Sequence, residues 1–454
     1  MTSLKSPLSS LTELLQSKGT MSNPTPKQNE IGLQDGVPDS SHHLVHDFVQ
    51  AHHDFRVGLS PTARRACAIV SKIRTQEFES IWSATADPSL NPTELFPGMM
   101  FNIAKNHMKT TKLWRIVQKM PKGALLHCHL GAMVDLEWVF NEALKTPGMC
   151  VSSSVPLVDE VARASAEVEY CFSKSGVEKG ASIWGKKYVA KTWIPITVAA
   201  DSYPDGGRKV FVAWMKDRCS ITQAESLQHH LGVDDVWRKL NSAFSILVGI
   251  IYYEPVMRQF LRQFFKTLLE DGVRWVEIRA APFTKFNLEG EEEPISEPGP
   301  FLKVVQEEIE RFKNSEEGKS FLGARMIWVS IRFWNDKRLI EDMEHCIRLK
   351  SLYPDLISGY DLVGHEDTGR TLSSMAPSIL YFRSQCASKK SHYPLLLPRR
   401  RMCRFRELNR SQSLRRHPLQ NPSNRPRLFS LQTPHSNRDG KGERDLGREL
   451  SDKQ

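Results

Sequence analysis

Two histidines one residue apart, His127-Cys128-His129, close the short apolar run ALLHCH (124–129) and are the sharpest chemical feature of this 454-residue sequence. In an extended strand, residues i and i+2 share a face, so both imidazoles project together. Paired imidazoles suit Zn²⁺, whose further ligands must then come from other elements. The same spacing is also met by two ordinary histidines at a strand end. The eight cysteines (67, 128, 150, 171, 219, 346, 386 and 403) contain no CxxC pair. They suggest neither a zinc ribbon nor a dense disulfide framework, and a reduced compartment is the simpler reading.

The elements that must position these groups follow from periodicity. Residues 1–42 are polar and rich in Ser, Pro and Gln, which predicts disorder. Residues 43–118 read as a helical N-terminal extension, with SPTARRACAIVSKIRTQEFESIW and LFPGMMFNIAKNHMKTTKLWRIVQ as helices and Pro61 and Pro97 near their starts. Met120 to Gly123 is a turn, ALLHCH has strand length, and MVDLEWVFNEAL is a helix. Residues 147–225 show no long periodic segment and read as an insertion within a domain spanning 119–390. A helix over 254–271 then stops at Gly272 and feeds the strand VRWVEIR (273–279). Beyond a Gly-, Glu- and Pro-rich loop (288–300) come the helix FLKVVQEEIERFKN, a strand over 324–333, the helix DKRLIEDMEHCIRLKSL and a strand over 357–364.

Strands separated by helices of this length imply parallel βαβ units, in a (β/α) barrel or a doubly wound sheet. No GxGxxG follows the first strand, so dinucleotide binding has no support and the barrel is favoured. In a barrel, His127 and His129 would sit at the C-terminal end of the first strand, where barrel active sites are assembled.

Apolar content of 40% with 9% aromatics excludes a wholly disordered chain. No stretch approaches the roughly 18 uncharged apolar residues that span a bilayer, so no membrane partner is expected. The first 30 residues lack a continuous apolar core and do not read as a secretory signal, and Glu13 and Glu30 argue against an organellar presequence. On these grounds alone the expected compartment is the cytoplasm. A formal charge of +10 invites a nucleic-acid partner. Residues 391–454, however, hold 15 Lys+Arg against 6 Asp+Glu, so nearly all the excess lies in the tail. That tail has only Tyr393, Phe405 and Phe429 as aromatics, and no nucleic-acid partner is expected.

The stretch MPKGALLHCHLGAMVDLEWVF (120–140) resembles the zinc-dependent adenosine deaminase family, in particular its adenosine deaminase-related growth factor branch, with MPKGxxLHxHxxAxxxxxW at its first strand. IYYEPVMRQFLRQFFKTLLEDGVRWVEIR (251–279) and GYDLVGHEDTGR (359–370) are similar to further family segments, so the resemblance spans roughly 45–390. It implies a (β/α)8 TIM-type barrel, an N-terminal extension used for homodimerisation, and an inserted subdomain at 147–225 that binds outside the catalytic pocket. The implied reaction is hydrolytic deamination of adenosine or a related nucleoside: zinc activates a water that attacks C6 of the purine, a Glu protonates the ring nitrogen, and ammonia leaves. Carried over, His127 and His129 match the first two zinc ligands, and Gly364 matches the glycine whose backbone approaches the purine. His365, Glu366 and Asp367 lie beside it, with Glu366 a candidate substrate contact or simply part of a solvated polar loop. Where the family usually has a polar residue after HxHL, this chain has Gly131, which removes a side-chain contact to the sugar. The branch is typically secreted, unlike the compartment read from the N-terminus.

The family's next motifs, HAGE, GHG and a late Asp pair, do not occur after Lys390. The chain continues instead as an Arg-, Pro- and Ser-rich segment that reads as a disordered basic tail. Read one base downstream, codons for SHYPLLLPRRRM (391–402) can encode LTIPFFFHAGEC, RPRLFSLQTP (425–434) can encode GHGFSLYKHP, and GRELSDK (447–453) can encode VESCPIS. Codon degeneracy makes one such match cheap, but three in family order and one frame point to an out-of-frame reading from about residue 391. The expectation is an incomplete barrel with two zinc ligands and no catalytic Glu, His or Asp. Such a chain would leave strand edges uncovered, fold poorly and lack deaminase activity. The alternative is a catalytically dead interaction or dimerisation module.

Overall fold

The alternation of apolar strands and amphipathic helices builds two sheets. The computed structural model describes residues 53–82, 95–96, 98–174, 181–204, 206–226, 233–365 and 368–388. The expected disordered N-terminus, the basic tail from 391, Glu366 and Asp367 lie outside the described residues.

Four parallel strands, β1 (Leu125–His129), β5 (Trp275–Ala280), β6 (Gly323–Ile331) and β7 (Ile357–Val363), lie side by side in the order β1-β5-β6-β7. Each new strand is added beyond the last, without the reversal of strand order that defines a doubly wound sheet. The architecture is mixed α/β with a parallel sheet. The second sheet is antiparallel and has the order β3-β2-β4, from β2 (Met149–Ser153), β3 (Val168–Phe172) and the short β4 (Ile194–Pro195). It falls within the segment expected as an insertion. All described residues belong to one compact unit, Met1–Arg399.

Local chemistry explains where the connecting helices begin and end. Helix Leu136–Lys145 starts at Asp135, whose carboxylate accepts from the Glu137 and Trp138 amides. Helix Asp336–Leu352 starts at Asn335, which accepts from the Arg338 amide at 2.9 Å. Helix Glu254–Glu270 ends where Gly272 takes φ +84°. There the Val273 amide donates to Leu268 O and the Gly272 amide to Leu269 O, a Schellman ending that only glycine adopts without strain. Helix Pro61–Ile81 carries proline in its first turn and the Ser60 hydroxyl as cap.

The outward face of the parallel sheet meets these helices. Trp328 and Tyr360 are fully buried, and Tyr360 packs on Phe382 of helix Ala376–Ser388 with ring centroids 4.8 Å apart. Asp342 of helix Asp336–Leu352 reaches into this layer and accepts from Trp328 Nε1 at 2.8 Å and from the Ser330 hydroxyl. Helices Glu254–Glu270 and Gly299–Lys313 meet through Phe265, Phe312 and Phe321.

Among the described residues periodicity missed several helices, Ala376–Ser388 among them, and two of them bear on the site. Gly207–Cys219 lies inside the stretch that showed no long periodic segment. Its apolar residues Phe211, Val212 and Met215 are buried, but Lys216 and Arg218 interrupt any simple stripe. Helix Val233–Ile251 is the second; it packs on β3 and on helices Gly207–Cys219 and Glu254–Glu270. Its Gly249 approaches β3 so closely that a Cβ there would sit 2.1 Å from Tyr170 O. No helix among the described residues is long and apolar enough to cross a membrane.

Candidate metal centre

β1 places His127 and His129 on one face, as its period of two requires, with ring centroids 5.3 Å apart. Cys128 points the other way and its Sγ donates to Glu277 O at 3.4 Å. Burial pushes the Cys128 thiol up to about 12, which keeps it protonated and unsuited to hold a metal as thiolate. The imidazoles move the opposite way. Burial, then the neighbouring His127 and Arg279, push His129 down to about 4. Burial and Arg279 also lower His127, against a smaller opposing pull from Asp361. Both rings are therefore neutral at pH 7, the state in which imidazole nitrogens ligate metal.

Beneath the histidines lies a buried ion pair. Arg279 is aligned with His129 across the β1–β5 ladder, and its Nε donates to Asp361 Oδ2 of β7 at 2.8 Å. Its Nη1 donates to Leu126 O at 2.9 Å. The two side chains are 6% and 2% exposed. One guanidinium thus ties the backbone of β1, just before His127, to a carboxylate two strands beyond its own. Burial pushes the Asp361 carboxyl up, and the hydrogen bond from Arg279 opposes that shift.

Helix Val233–Ile251 crosses the C-terminal edge of the sheet above this layer. Phe244 meets His129 edge-on at 6.4 Å between centroids, while Trp237 stacks on His365 at 5.0 Å. His365 Nε2 and Asp234 Oδ1 are 2.9 Å apart. One helix therefore reaches from the end of β1 to the end of β7.

Gly131 sits in the 3₁₀ turn Leu130–Ala132, and a Cβ there would lie 2.8 Å from Phe244 Cδ1. The glycine at 131 thus has a packing reason: the Phe244 ring occupies the space of a side chain. Gly364 ends β7 at φ +122°, with the Phe333 ring and Arg332 Cγ 3.3 and 3.4 Å from where a Cβ would be. The structure brings His127 and His129 together and puts Gly364 at the same end of the sheet, three strands away. Glu366 falls outside the described residues. Among the described residues there is no group of three or more His, Cys, Asp and Glu side chains able to hold a metal. The two imidazoles fit a zinc ion as part of its ligand set.

The sequence reading missed Arg279, Asp361 and Phe244. The first two did leave a signal. Each is a charge inside an apolar strand, and such charges of opposite sign need a partner.

The arrangement presents two neutral imidazoles on one face at the C-terminal end of a parallel sheet, above a buried ion pair. No protein-family model matches the chain. Among curated proteins it is similar to an adenosine deaminase of Phlebotomus duboscqi, 23% identical over 291 residues, covering 64% of this chain and 51% of that protein. It is 25% identical over 321 residues to adenosine deaminase 2-A of Danio rerio (70% and 59% covered), and 25% identical over 286 residues to human adenosine deaminase 2 (63% and 51%). The chain spans about half the length of the curated relatives it matches. The resemblance read from the sequence holds: the chain is a relative of adenosine deaminase and adenosine deaminase 2. Among solved structures, Arabidopsis ADAL complexed with IMP aligns at a TM-score of 0.33 and 12% identity, over 60% of this chain and 57% of that one. A Burkholderia amidohydrolase with bound Zn also aligns at 0.33, at 12% identity over 65% and 55%. These overlaps are too slight to argue fold or chemistry.

Proposed function

We propose that the parallel sheet is the first half of a (β/α)8 barrel. Its chemistry is zinc-dependent hydrolytic deamination of an adenine nucleoside, adenosine or 2′-deoxyadenosine, giving the corresponding inosine and ammonia. The observation that carries this reading is the neutral His127–His129 pair at the end of β1, set over the buried Arg279–Asp361 pair, in a chain related to adenosine deaminases. His127 and His129 would hold the zinc, which in such sites supplies Lewis-acid activation of water. Arg279 fixes the β1 carbonyl next to the histidines and so their orientation. Gly364 leaves backbone open at the end of β7, where a purine edge has to be met without a side chain in the way. Phe244 shields the histidine side of the site and presents an apolar surface where a sugar-binding side chain would otherwise stand. Helices Pro61–Ile81, Phe101–Met108 and Lys112–Lys119 serve as a homodimer contact.

The rest of the ligand set is assigned to the other frame from about residue 391, where the codons of Pro398–Met402 can encode HAGEC. The third histidine and the acid Glu belong to that reading, and the chain as written has no deaminase activity. Transcript sequence across codons 385–403 tests the frame directly and should yield HAGEC one base downstream. The product read in that frame, loaded with zinc, should form inosine from adenosine, and H127A should abolish both stoichiometric zinc and turnover. DNA unable to encode HAGEC there sinks the frame assignment. Zinc-loaded, active protein from the chain as written sinks the claim of inactivity, and no turnover from the in-frame product sinks the deaminase reading.

A further inference from the structure

Away from the histidines, a cavity of about 680 Å³ opens between helix Val233–Ile251 and the inserted segment. That volume lies within the range of pockets that hold small organic molecules. None of its lining residues belongs to the candidate metal centre. Its inner wall is basic: Arg163, Arg218 and Lys239 are partly buried there, with Glu225 as the carboxylate among them. Lys239 and Glu225 neutralise each other, with Nζ 2.8 Å from Oε1. The other acidic residues of the lining, Glu160 and Asp217, are exposed. Among the described residues neither arginine pairs with a carboxylate.

Arg218 makes this imbalance significant. Its guanidinium lies over the Trp214 ring, 5.4 Å from the centroid. Nη1 donates to Arg163 O and to Ala164 O, and Nη2 donates to Ala166 O, around the end of helix Glu160–Ser165. Nε is buried and has no hydrogen-bond partner. Burial pulls the guanidinium below its ordinary value, and no carboxylate opposes that shift. Carbonyls at a helix end carry on the order of half an elementary charge, so a net positive charge is left at the wall of the cavity. A buried cation without a counter-ion is costly. An anion in the cavity would supply the charge that the fold leaves out. Trp214 and Tyr203, with ring centroids 5.7 Å apart, add an aromatic wall beside the arginines.

We propose that this cavity is a binding site for a small aromatic anion, whose phosphate or carboxylate sits beside Arg163 and Arg218 and whose ring lies against Trp214 and Tyr203. Guanidinium groups suit both kinds of anion because their N–H groups match paired oxygens. Arg163 provides the open contact, since its side chain has no competing carboxylate, and Arg218 provides the buried charge behind it. The aromatic wall and the size of the cavity favour an anion that carries a ring over a bare inorganic ion. The site needs neither zinc nor the deaminase chemistry. It stands on residues 160–242, which precede the change of frame.

The test is isothermal titration calorimetry on the full chain and on the product of the other frame, in which these residues are unchanged. EDTA is present throughout to keep metal off the histidines. The probes are phenyl phosphate, benzoate, inorganic phosphate and phenol. Phenyl phosphate or benzoate should bind at one site with a Kd at or below about 1 mM, and the ratio of their constants tells phosphate from carboxylate. Phenol lacks the charge and inorganic phosphate lacks the ring, so each should bind roughly tenfold more weakly or worse. R163Q should weaken the better anion by about tenfold while leaving the unfolding midpoint of the free protein unchanged. E225Q removes the inner carboxylate and should tighten binding by roughly threefold, a gain that a purely structural arginine would not produce. No binding of either aromatic anion at about 10 mM overturns the proposal. So does phenol binding as tightly as the anions, or binding that R163Q and E225Q leave unchanged.

Discussion

Replacing Arg279 by Met should expose how the candidate site is braced. Arg279 and Asp361 are 6% and 2% exposed and 2.8 Å apart. At an effective dielectric of 20 their gross attraction is about 6 kcal/mol, most of it offset by desolvation of the two ions. R279M keeps much of the side-chain volume but leaves the Asp361 carboxylate buried without its cation. The carboxyl escapes by taking up a proton. From an unfolded value near 3.9, that costs at most about 4 kcal/mol at pH 7. Loss of the donor to Leu126 O adds about 1 kcal/mol. The expected destabilisation is therefore about 3–5 kcal/mol at pH 7, measured by urea unfolding in the presence of EDTA. The sign of its pH dependence follows. In the variant the folded-state pKa of Asp361 lies above the unfolded one, so the variant is relatively most stable below pH 4 and loses ground as pH rises towards the folded value. The gap to the parent should shrink by about 1.4 kcal/mol per unit on acidification from pH 7, leaving roughly 1–2 kcal/mol near pH 4. R279M/D361N should recover about 2–3 kcal/mol at pH 7 and show a flat profile. A cost below 1 kcal/mol at pH 7, or a gap that does not change with pH, refutes the account of Arg279 as the counter-ion of a buried carboxylate.

Two more residues give sharp outcomes. Burial raises the Asp342 carboxyl while the Ser330 and Trp328 hydrogen bonds resist the shift, so folding favours its protonated form and its contribution to stability falls as pH rises from 4. D342N keeps an acceptor for Trp328 Nε1, and its stability relative to the parent should improve between pH 4 and pH 8; a flat or falling difference in paired denaturation curves contradicts this. At Gly131, a Cβ 2.8 Å from Phe244 forces the ring aside, so G131A should destabilise by about 1 kcal/mol or more. F244L should relieve most of that cost, and strictly additive effects of the two substitutions in a double-mutant cycle would show that the ring is not the obstacle.

How much of this was legible beforehand depended on whether the signal was local. The strands VRWVEIR and ISGYDLVG and the stop at Gly272 are written in neighbouring residues, and the parallel sheet followed from them. The histidine pair was legible for the same reason, since a period of two needs only three residues to state. Helix Val233–Ile251 did carry a local signal that was missed, since Ala243, Ile246, Leu247 and Ile250 recur at helical spacing and are buried. Phe244 went with it, and with Phe244 the reason why residue 131 is glycine. Arg279 and Asp361 were each visible as a charge in an apolar strand, but their pairing skips β6 and depends on the register of three strands. The chemistry of this protein thus divides along one physical line. What a single strand presents can be read from sequence, whereas what braces it, such as a guanidinium two strands away, exists only once the strands are in register.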